Sequence, residues 1–171
     1  MRYIKLFFLS VIVLFLVLAG IAALFPRHLR MSRAINMGVS REQAFRQISD
    51  LGTWDTWNLF ITNAPLTHRR VSVVSQGKGA VLSSDQLTIA VENANPDSVT
   101  TIWKQANAKE FSGGFNLLQL QPDSITLQWY FDFNFRWYPW EKLSSLLYER
   151  NLGPVMEESL ARLKEKLENS K

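Results

Sequence analysis

A run of twenty residues near the N-terminus, Leu6–Phe25, carries no charged side chain and is almost wholly apolar. As a helix the run would be about 30 Å long, which matches the hydrocarbon core of a bilayer. Fifteen of its residues are Leu, Ile, Val or Phe, and each favours membrane insertion by about 0.3–0.6 kcal/mol. The sequence therefore predicts a membrane anchor within residues 1–26 and one domain over residues 27–171.

Two other interpretations of this run stay open. Arg2 and Lys5 resemble the basic start of a signal peptide, and Gly20-Ile-Ala22 is an acceptable cleavage site. A retained anchor is favoured because the apolar run continues past that site and is longer than the usual apolar segment of a signal peptide, which has about 7–15 residues. The second alternative is a core helix of a soluble protein. Basic residues flank both ends of the run, and the short basic N-terminus favours a domain on the outer, periplasmic side.

The remaining composition excludes several kinds of site. The net charge is +4, and the basic cluster Arg27, Arg30 and Arg33 is suited to lipid headgroups rather than to nucleic acid. The absence of cysteine excludes disulfides, thiolate metal sites and cysteine nucleophiles. With only His28 and His68, a metal centre cannot be built from several histidines. We expect no cofactor, no metal and no nucleic-acid partner, and protein partners stay undefined.

The order of elements after the anchor predicts an α+β domain. Ser32–Met37 alternates like a strand, and Ser40-Arg-Glu-Gln43 is a capping box that begins a short helix. Six further strands are predicted at Thr67–Gln76, Ala80–Ser84, Gln86–Asn93, Val99–Asn107, Glu110–Leu120 and Ser124–Asn134. Gly113-Gly114 predicts a bulge or bend. Pro139–Leu167 is predicted to be helical, interrupted at Gly153-Pro154. A curved antiparallel sheet around this final helix would leave a concave space between them.

Three stretches resemble the SRPBCC, or START-like, superfamily with its helix-grip fold. Arg33–Trp57 is similar to the opening strand and first helices, Gly77-Lys-Gly79 to a Gly-x-Gly turn, and Tyr138–Lys164 to the closing helix. Over residues 31–168 the sequence looks most like the membrane-anchored polyketide cyclase and lipid-transport branch. The resemblance implies a cavity between sheet and helix that holds an apolar ligand. It implies no reaction, because one fold serves many functions.

Large apolar residues are the candidates for the wall of this cavity. Ser124–Asn134 alternates strictly, so that its apolar side chains share one face. Such side chains either fill the core or line a ligand site, and both interpretations stay open. The ligand-cavity candidates are Trp103, Phe115, Leu127, Trp129, Phe131, Leu147 and Met156. The candidates for the cavity mouth, where an indole is half exposed, are Trp54, Trp57 and Trp140.

The sequence offers little for catalysis. It contains no nucleophile-elbow, phosphate-loop or zinc-protease motif, and no catalytic residue is predicted. His68 lacks a nearby orienting partner and is expected at the surface. Asp132, Arg136 and Glu110 are interpreted as residues of a solvated sheet face, and the alternative is an Asp132–Arg136 pair joined by Glu110. The favoured function is binding of a lipid-like or other hydrophobic small molecule. The alternatives are a cyclase- or hydrolase-type enzyme in the same cavity and a protein-interaction module with a collapsed cavity.

Overall fold

The computed structural model describes residues 2–24, 27–63, 67–106, 108–121, 123–136 and 138–169, without the side chains of residues 2, 120, 139, 140 and 142–147. The helices are α1 (Arg2–Ala23), α2 (Arg41–Ser49), a 3₁₀ helix (Leu51–Thr56), α3 (Leu59–Thr62) and α4 (Pro139–Glu168). The strands are β1 (His28–Met37), β2 (Arg70–Val71), β3 (Val81–Ser83), β4 (Leu87–Asn95), β5 (Ser98–Gln105), β6 (Phe111–Gln121) and β7 (Ser124–Asn134).

The strands form one antiparallel sheet in the order β1-β7-β6-β5-β4-β3-β2. Strands β2 to β7 are a simple meander, and β1 pairs with the outer edge of β7 over its whole length. The sheet is curved, and α4 packs against β1 and α3. The predicted α+β helix-grip architecture is confirmed.

The core lies between one face of the sheet and the helices. Alternate residues of β7 point into it, and all five are buried: Ile125, Leu127, Trp129, Phe131 and Phe133. From α4, Met156, Leu160, Leu163 and Leu167 are buried against them at helical spacing. Burying each large apolar side chain contributes about 1.5–3 kcal/mol. The alternating apolar residues of β7 and the helically spaced apolar residues of α4 therefore pack against each other in one core.

Local signals explain two of the element boundaries. The Ser40 hydroxyl accepts from the Gln43 backbone N–H at 3.3 Å, and the Gln43 side chain accepts from the Ser40 N–H at 3.2 Å, which confirms the capping box. Gly77 and Gly79 have φ of +78° and +86°. The turn needs glycine at both positions because a side chain disfavours this backbone conformation.

The strand predicted at Thr67–Gln76 is much shorter than expected. Only Arg70–Val71 pair with β3, because the Ser72 hydroxyl then accepts from the Val81 N–H at 2.9 Å and donates to the Val74 carbonyl at 2.5 Å. These side-chain bonds turn the chain away from the sheet.

The interruption predicted at Gly153-Pro154 is wrong, because α4 continues through both residues. Gly153 is buried against the guanidinium of Arg33, and a Cβ there would lie 2.7 Å from Arg33 Nη2. The glycine therefore permits close packing, and contact with the sheet holds the helix together on both sides of Pro154.

The bulge predicted at Gly113-Gly114 is also wrong, since the pairing of β6 with β7 is regular from Ser112 to Gln119. A Cβ on Gly113 would lie 2.5 Å from the Phe131 ring, and one on Gly114 would lie 2.5 Å from the Val99 carbonyl oxygen. Both glycines therefore make room for neighbours.

The N-terminal helix is long and apolar enough to span a membrane, with mean hydropathy of 3.0 over Tyr3–Ala23. Its side chains are largely exposed, and Ala22 is buried near its end. The alternative of a core helix is therefore wrong. The helix contacts α4, so that it ends beside the domain.

Candidate functional site

A pocket of about 900 Å³ opens between the sheet and the first half of α4. Exposed residues at the ends of the strands form its rim: Gln86, Gln105, Ala106, Ala108, Lys109, Glu110, Asn134 and Arg136. Buried and half-buried residues form its floor: Phe60, Leu87, Trp103, Phe111, Phe131, Phe133, Phe135, Tyr148 and Leu152. A polar rim over a mainly aromatic floor is typical of sites for small apolar molecules.

Strand register explains the aromatic floor. Trp103 of β5 and Phe111 of β6 are direct partners, and their rings stack with centroids 6.1 Å apart. The next strand contributes Phe131 and Phe133 from the same sheet face, with the Phe131 centroid 5.2 Å from that of Trp103. Edge-to-face contacts of this kind fix ring positions, so that the floor is preformed.

The rim lies at the end of the sheet where the chain arrives from α1. His28 pairs with Asn134, and the Phe135 N–H donates to the Arg27 carbonyl at 2.8 Å. Asn134 and Phe135 both line the pocket. Four residues separate α1 from β1, which limits the span between them to about 18 Å. The pocket is therefore close to the end of α1.

Arg30 of β1 and Asp132 of β7 lie on the opposite face of the sheet, whereas Arg33 of β1 lies on the core face, where it pairs with Glu157 of α4. Arg30 donates two hydrogen bonds to Asp132, at 2.7 and 2.6 Å, and lies 4.6 Å above the Tyr130 ring. The hydrogen bond from Arg30 holds the pKa of Asp132 below its usual value, and burial raises the pKa of Tyr130. The alternative of an Asp132–Arg136 pair is wrong, because Arg30 is the direct cross-strand partner of Asp132.

Two of the predicted ligand-cavity residues, Trp103 and Phe131, line the pocket. Four others are fully buried and are not among its lining residues: Phe115, Leu127, Trp129 and Met156. They fill the core instead, as the stacked rings of Phe115 and Trp129 show, with centroids 5.1 Å apart. The side chain of Leu147 lies outside the described part of the chain.

The placement of Trp54 and Trp57 at the cavity mouth is wrong. Both are fully buried, and the 3₁₀ helix directs them into the aromatic core, with ring centroids 5.5 Å apart. The Trp54 N–H donates to the Ile48 carbonyl at 3.0 Å, so that this indole needs no water. The Trp140 side chain lies outside the described residues.

Sequence reasoning missed Phe60, Phe111, Tyr148 and Leu152 as lining residues. Phe60 lies on α3, a four-residue helix too short for a periodic signal. Leu152 and Tyr148 are one helical turn apart on α4, and this spacing alone could have indicated a shared face.

The pocket floor is poor in ionisable groups. Lys109 and Glu110 lie at the rim, where the Lys109 ammonium donates to the Asn134 carbonyl at 3.1 Å. Glu141 accepts from the Arg136 N–H at 2.8 Å. His68 is exposed and pairs with Asp85 at 2.8 Å, and neither residue lines the pocket. Among the described residues, no cluster of His, Asp and Glu could hold a metal.

The fold and pocket agree with a comparison of the sequence with known families. Residues 26–168 match the family described as polyketide cyclase / dehydrase and lipid transport. The chain belongs to this family. The match begins where the apolar run ends, and it covers the whole sheet and α4. A search of curated proteins finds no significant match.

Solved structures show the same fold at low sequence identity. A START superfamily protein from Mycobacterium smegmatis has 17% identity and a TM-score of 0.61, with 83% of this chain and 99% of that chain covered. Norcoclaurine synthase from Thalictrum flavum, solved with dopamine and hydroxybenzaldehyde, has 8% identity and a TM-score of 0.57, covering 84% and 88%. CalU16 from Micromonospora echinospora has 11% identity and a TM-score of 0.55, covering 79% and 71%. The START-like fold is therefore shared.

Proposed function

We propose that the protein binds a lipid-like or other hydrophobic small molecule in this pocket while residues 1–26 anchor it in the membrane and residues 27–171 form the binding domain. The observation that carries the proposal is the position of the pocket. Its lining includes Asn134 of the rim and Phe135 of the floor, which contact His28 and Arg27 between α1 and the sheet. A molecule dissolved in the bilayer therefore meets the pocket close to the membrane surface.

The driving force would be removal of apolar ligand surface from water, worth about 25 cal/mol per Å² before the costs of association. The floor supplies aromatic contacts from Trp103, Phe111 and Phe131, and the rim supplies polar groups that stay hydrated. We place the domain on the outer side of the membrane, since the short basic N-terminus resembles the start of a secretory signal.

Binding without chemistry is the interpretation that the pocket favours. Its charged residues are at the rim or at the start of α4, and His68 is elsewhere. A cyclase- or hydrolase-type reaction thus has no observed acid–base arrangement among the described residues to support it. An open pocket of about 900 Å³ also weighs against an interaction module with a collapsed cavity.

The test is to extract the full chain from its native membrane in copolymer discs, which need no detergent, and to identify bound molecules by mass spectrometry. We expect one class of hydrophobic molecule at about one per chain. Leu152→Trp fills the pocket from α4 and should abolish this enrichment. Ala161→Trp, which adds the same side chain at an exposed site of α4, should keep it. Equal recovery from both variants and the wild type would contradict the proposal.

A further inference from the structure

Three buried hydrogen-bond donors in the core have no partner among the residues that the structure describes. They are the indole N–H groups of Trp57 and Trp129 and the side-chain N–H₂ of Asn58. All three residues are fully buried. Proteins pair the large majority of buried polar groups. Trp57 and Asn58 are adjacent in the sequence and the Trp57 ring contacts that of Trp129, so that three such donors need a physical account.

The neighbouring indoles show that the core is able to satisfy such groups. Trp54 donates to the Ile48 carbonyl at 3.0 Å, and Trp103 donates to the Thr101 hydroxyl at 2.9 Å. Trp54 belongs to the same cluster of rings as Trp57, since the centroids of the two rings are 5.5 Å apart. The unpaired donors are therefore particular to the site around Trp57 and Trp129, whose centroids are 6.0 Å apart.

Phe60 lies between the pocket and Trp129. Its half-buried ring lines the pocket, and its centroid lies 5.6 Å from that of Trp129 in an edge-to-face contact at 87°. Its backbone N–H donates to Asn58 Oδ1 at 3.1 Å, which leaves the amide N–H₂ as the free end of that side chain. The Phe60 side chain thus stands between the pocket and Trp129, and its backbone holds the Asn58 side chain beside it.

We propose that the pocket continues behind Phe60 into an inner site, in which an uncharged oxygen of the ligand accepts hydrogen bonds from the indoles of Trp57 and Trp129, beside the side-chain amide of Asn58. The inference rests on the proposed function, because the ligand enters through the same pocket. The Phe60 ring rotates outward into another staggered rotamer. The deep end of the ligand then takes the place of the ring against Trp129.

The chemistry of the donors selects the class of ligand. Among the described residues, the only buried charged side chain is Asp132, which lies on the other face of the sheet. A carboxylate or phosphate in the inner site would be a buried charge without a partner, which is strongly unfavourable. A carbonyl oxygen has two lone pairs and accepts from two of the three donors without a charge. The ligand class is therefore a hydrophobic ketone, quinone or ester that enters with its carbonyl first.

The experiment uses the full chain in phosphatidylcholine nanodiscs, with ¹⁵N in the tryptophan indoles. Two probes of the same skeleton are compared, 2-propionylnaphthalene and 2-propylnaphthalene, which lacks the oxygen. We expect the ketone to move the indole N–H signals of Trp57 and Trp129 downfield and to leave Trp54 in place. The hydrocarbon should bind about fivefold more weakly for each hydrogen bond that it cannot make.

Variants assign the effect to single donors. Trp57→Phe and Trp129→Phe should each weaken the ketone about fivefold and leave the hydrocarbon unchanged. Trp54→Phe is the matched control, because it removes an indole that already has a partner and does not line the pocket; both probes should bind it as they bind the wild type.

The inner site and the proposed function fail in different ways. If both probes bind with equal affinity and the ketone leaves the Trp57 and Trp129 signals unmoved, the pocket binds ligands and the inner site is refuted. If those indoles exchange magnetisation with a long-lived water that the ketone does not displace, the inner site is likewise refuted. If neither probe binds above the level of empty nanodiscs, the proposed function fails and the inner site with it.

Discussion

Replacing Gly113 by alanine tests whether the aromatic floor is held as tightly as the structure indicates. The new Cβ would lie 2.5 Å from Phe131 Cδ1, 2.9 Å from Phe131 Cε1 and 3.0 Å from the Tyr130 carbonyl oxygen. Ordinary contacts of a Cβ begin near 3.4 Å, so that the Phe131 ring must move by about 1 Å to relieve the overlap.

The ring has little freedom to move. The centroids of Trp103, Trp129 and Phe111 lie 5.2, 5.2 and 5.4 Å from that of Phe131. Overpacking a core of this kind lowers the free energy of unfolding by about 1–3 kcal/mol. Replacing glycine by alanine also lowers the entropy of the unfolded chain, which raises the free energy of unfolding by about 0.4–1 kcal/mol. We therefore expect a net loss of about 1–2 kcal/mol, which for a domain of this size lowers Tm by about 2–8 °C.

The assay is thermal unfolding followed by tryptophan fluorescence in nanodiscs. Gly38→Ala is the control, because the nearest atom to its new Cβ is Glu168 Oε1 at 3.5 Å, and its Tm should stay level or rise slightly. In a Phe131→Leu background the ring edge is absent, so that Gly113→Ala should cost less than half as much. An equal cost in both backgrounds would refute the reasoning, since the clash would then not be with Phe131.

Three further predictions follow from other parts of the chain. The Arg30 hydrogen bond lowers the pKa of Asp132, so that its stabilisation is present above about pH 4 and disappears as the pH falls through the folded pKa. Arg30→Met should therefore be less stable than the wild type at pH 7, by under about 1 kcal/mol because Arg30 is exposed, and the difference in Tm between the two should shrink steadily as the pH is lowered from about 4. Ser40→Ala removes the cap of α2 and should cost about 1 kcal/mol, measured by denaturant unfolding. The anchor should resist alkaline carbonate extraction, with an N-terminal peptide that begins before Ala22; a mature chain that begins after Ala22 would show a cleaved signal.

Much of the fold could be predicted because its signals are local. The capping box at Ser40 involves only four consecutive residues. The alternation of apolar and polar residues along β7 indicates which side chains share a face of the sheet. The same patterns misled where tertiary contacts decided the outcome. Gly153 suggested a break in α4, although its role is to admit the Arg33 guanidinium, and no local pattern contains that contact.

The candidate site was harder to predict for a related reason. Phe131 and Trp129 occupy equivalent positions of one alternating strand, yet Phe131 lines the pocket and Trp129 is enclosed by other rings. The difference comes from what covers each residue. Trp57 and Phe115 pack on Trp129, while the end of the strand at Phe131 and Phe133 opens toward the start of α4. Periodicity identifies a face of the sheet, but only the packing of remote elements decides where that face stays open.

The open end of that face is also the end to which α1 is joined, and strand pairing makes this unavoidable. β1 is antiparallel to β7 and begins opposite Asn134, at the end of β7. A helix that precedes β1 must therefore arrive where β7 ends, which is the rim of the pocket. A tether at the C-terminus would leave from the opposite end of α4 instead, since Glu168 bonds to Gly38 beyond the far end of β1. The topology thus places a helix that precedes β1 beside the pocket, whereas a helix joined to the C-terminus would lie at the opposite end of the domain.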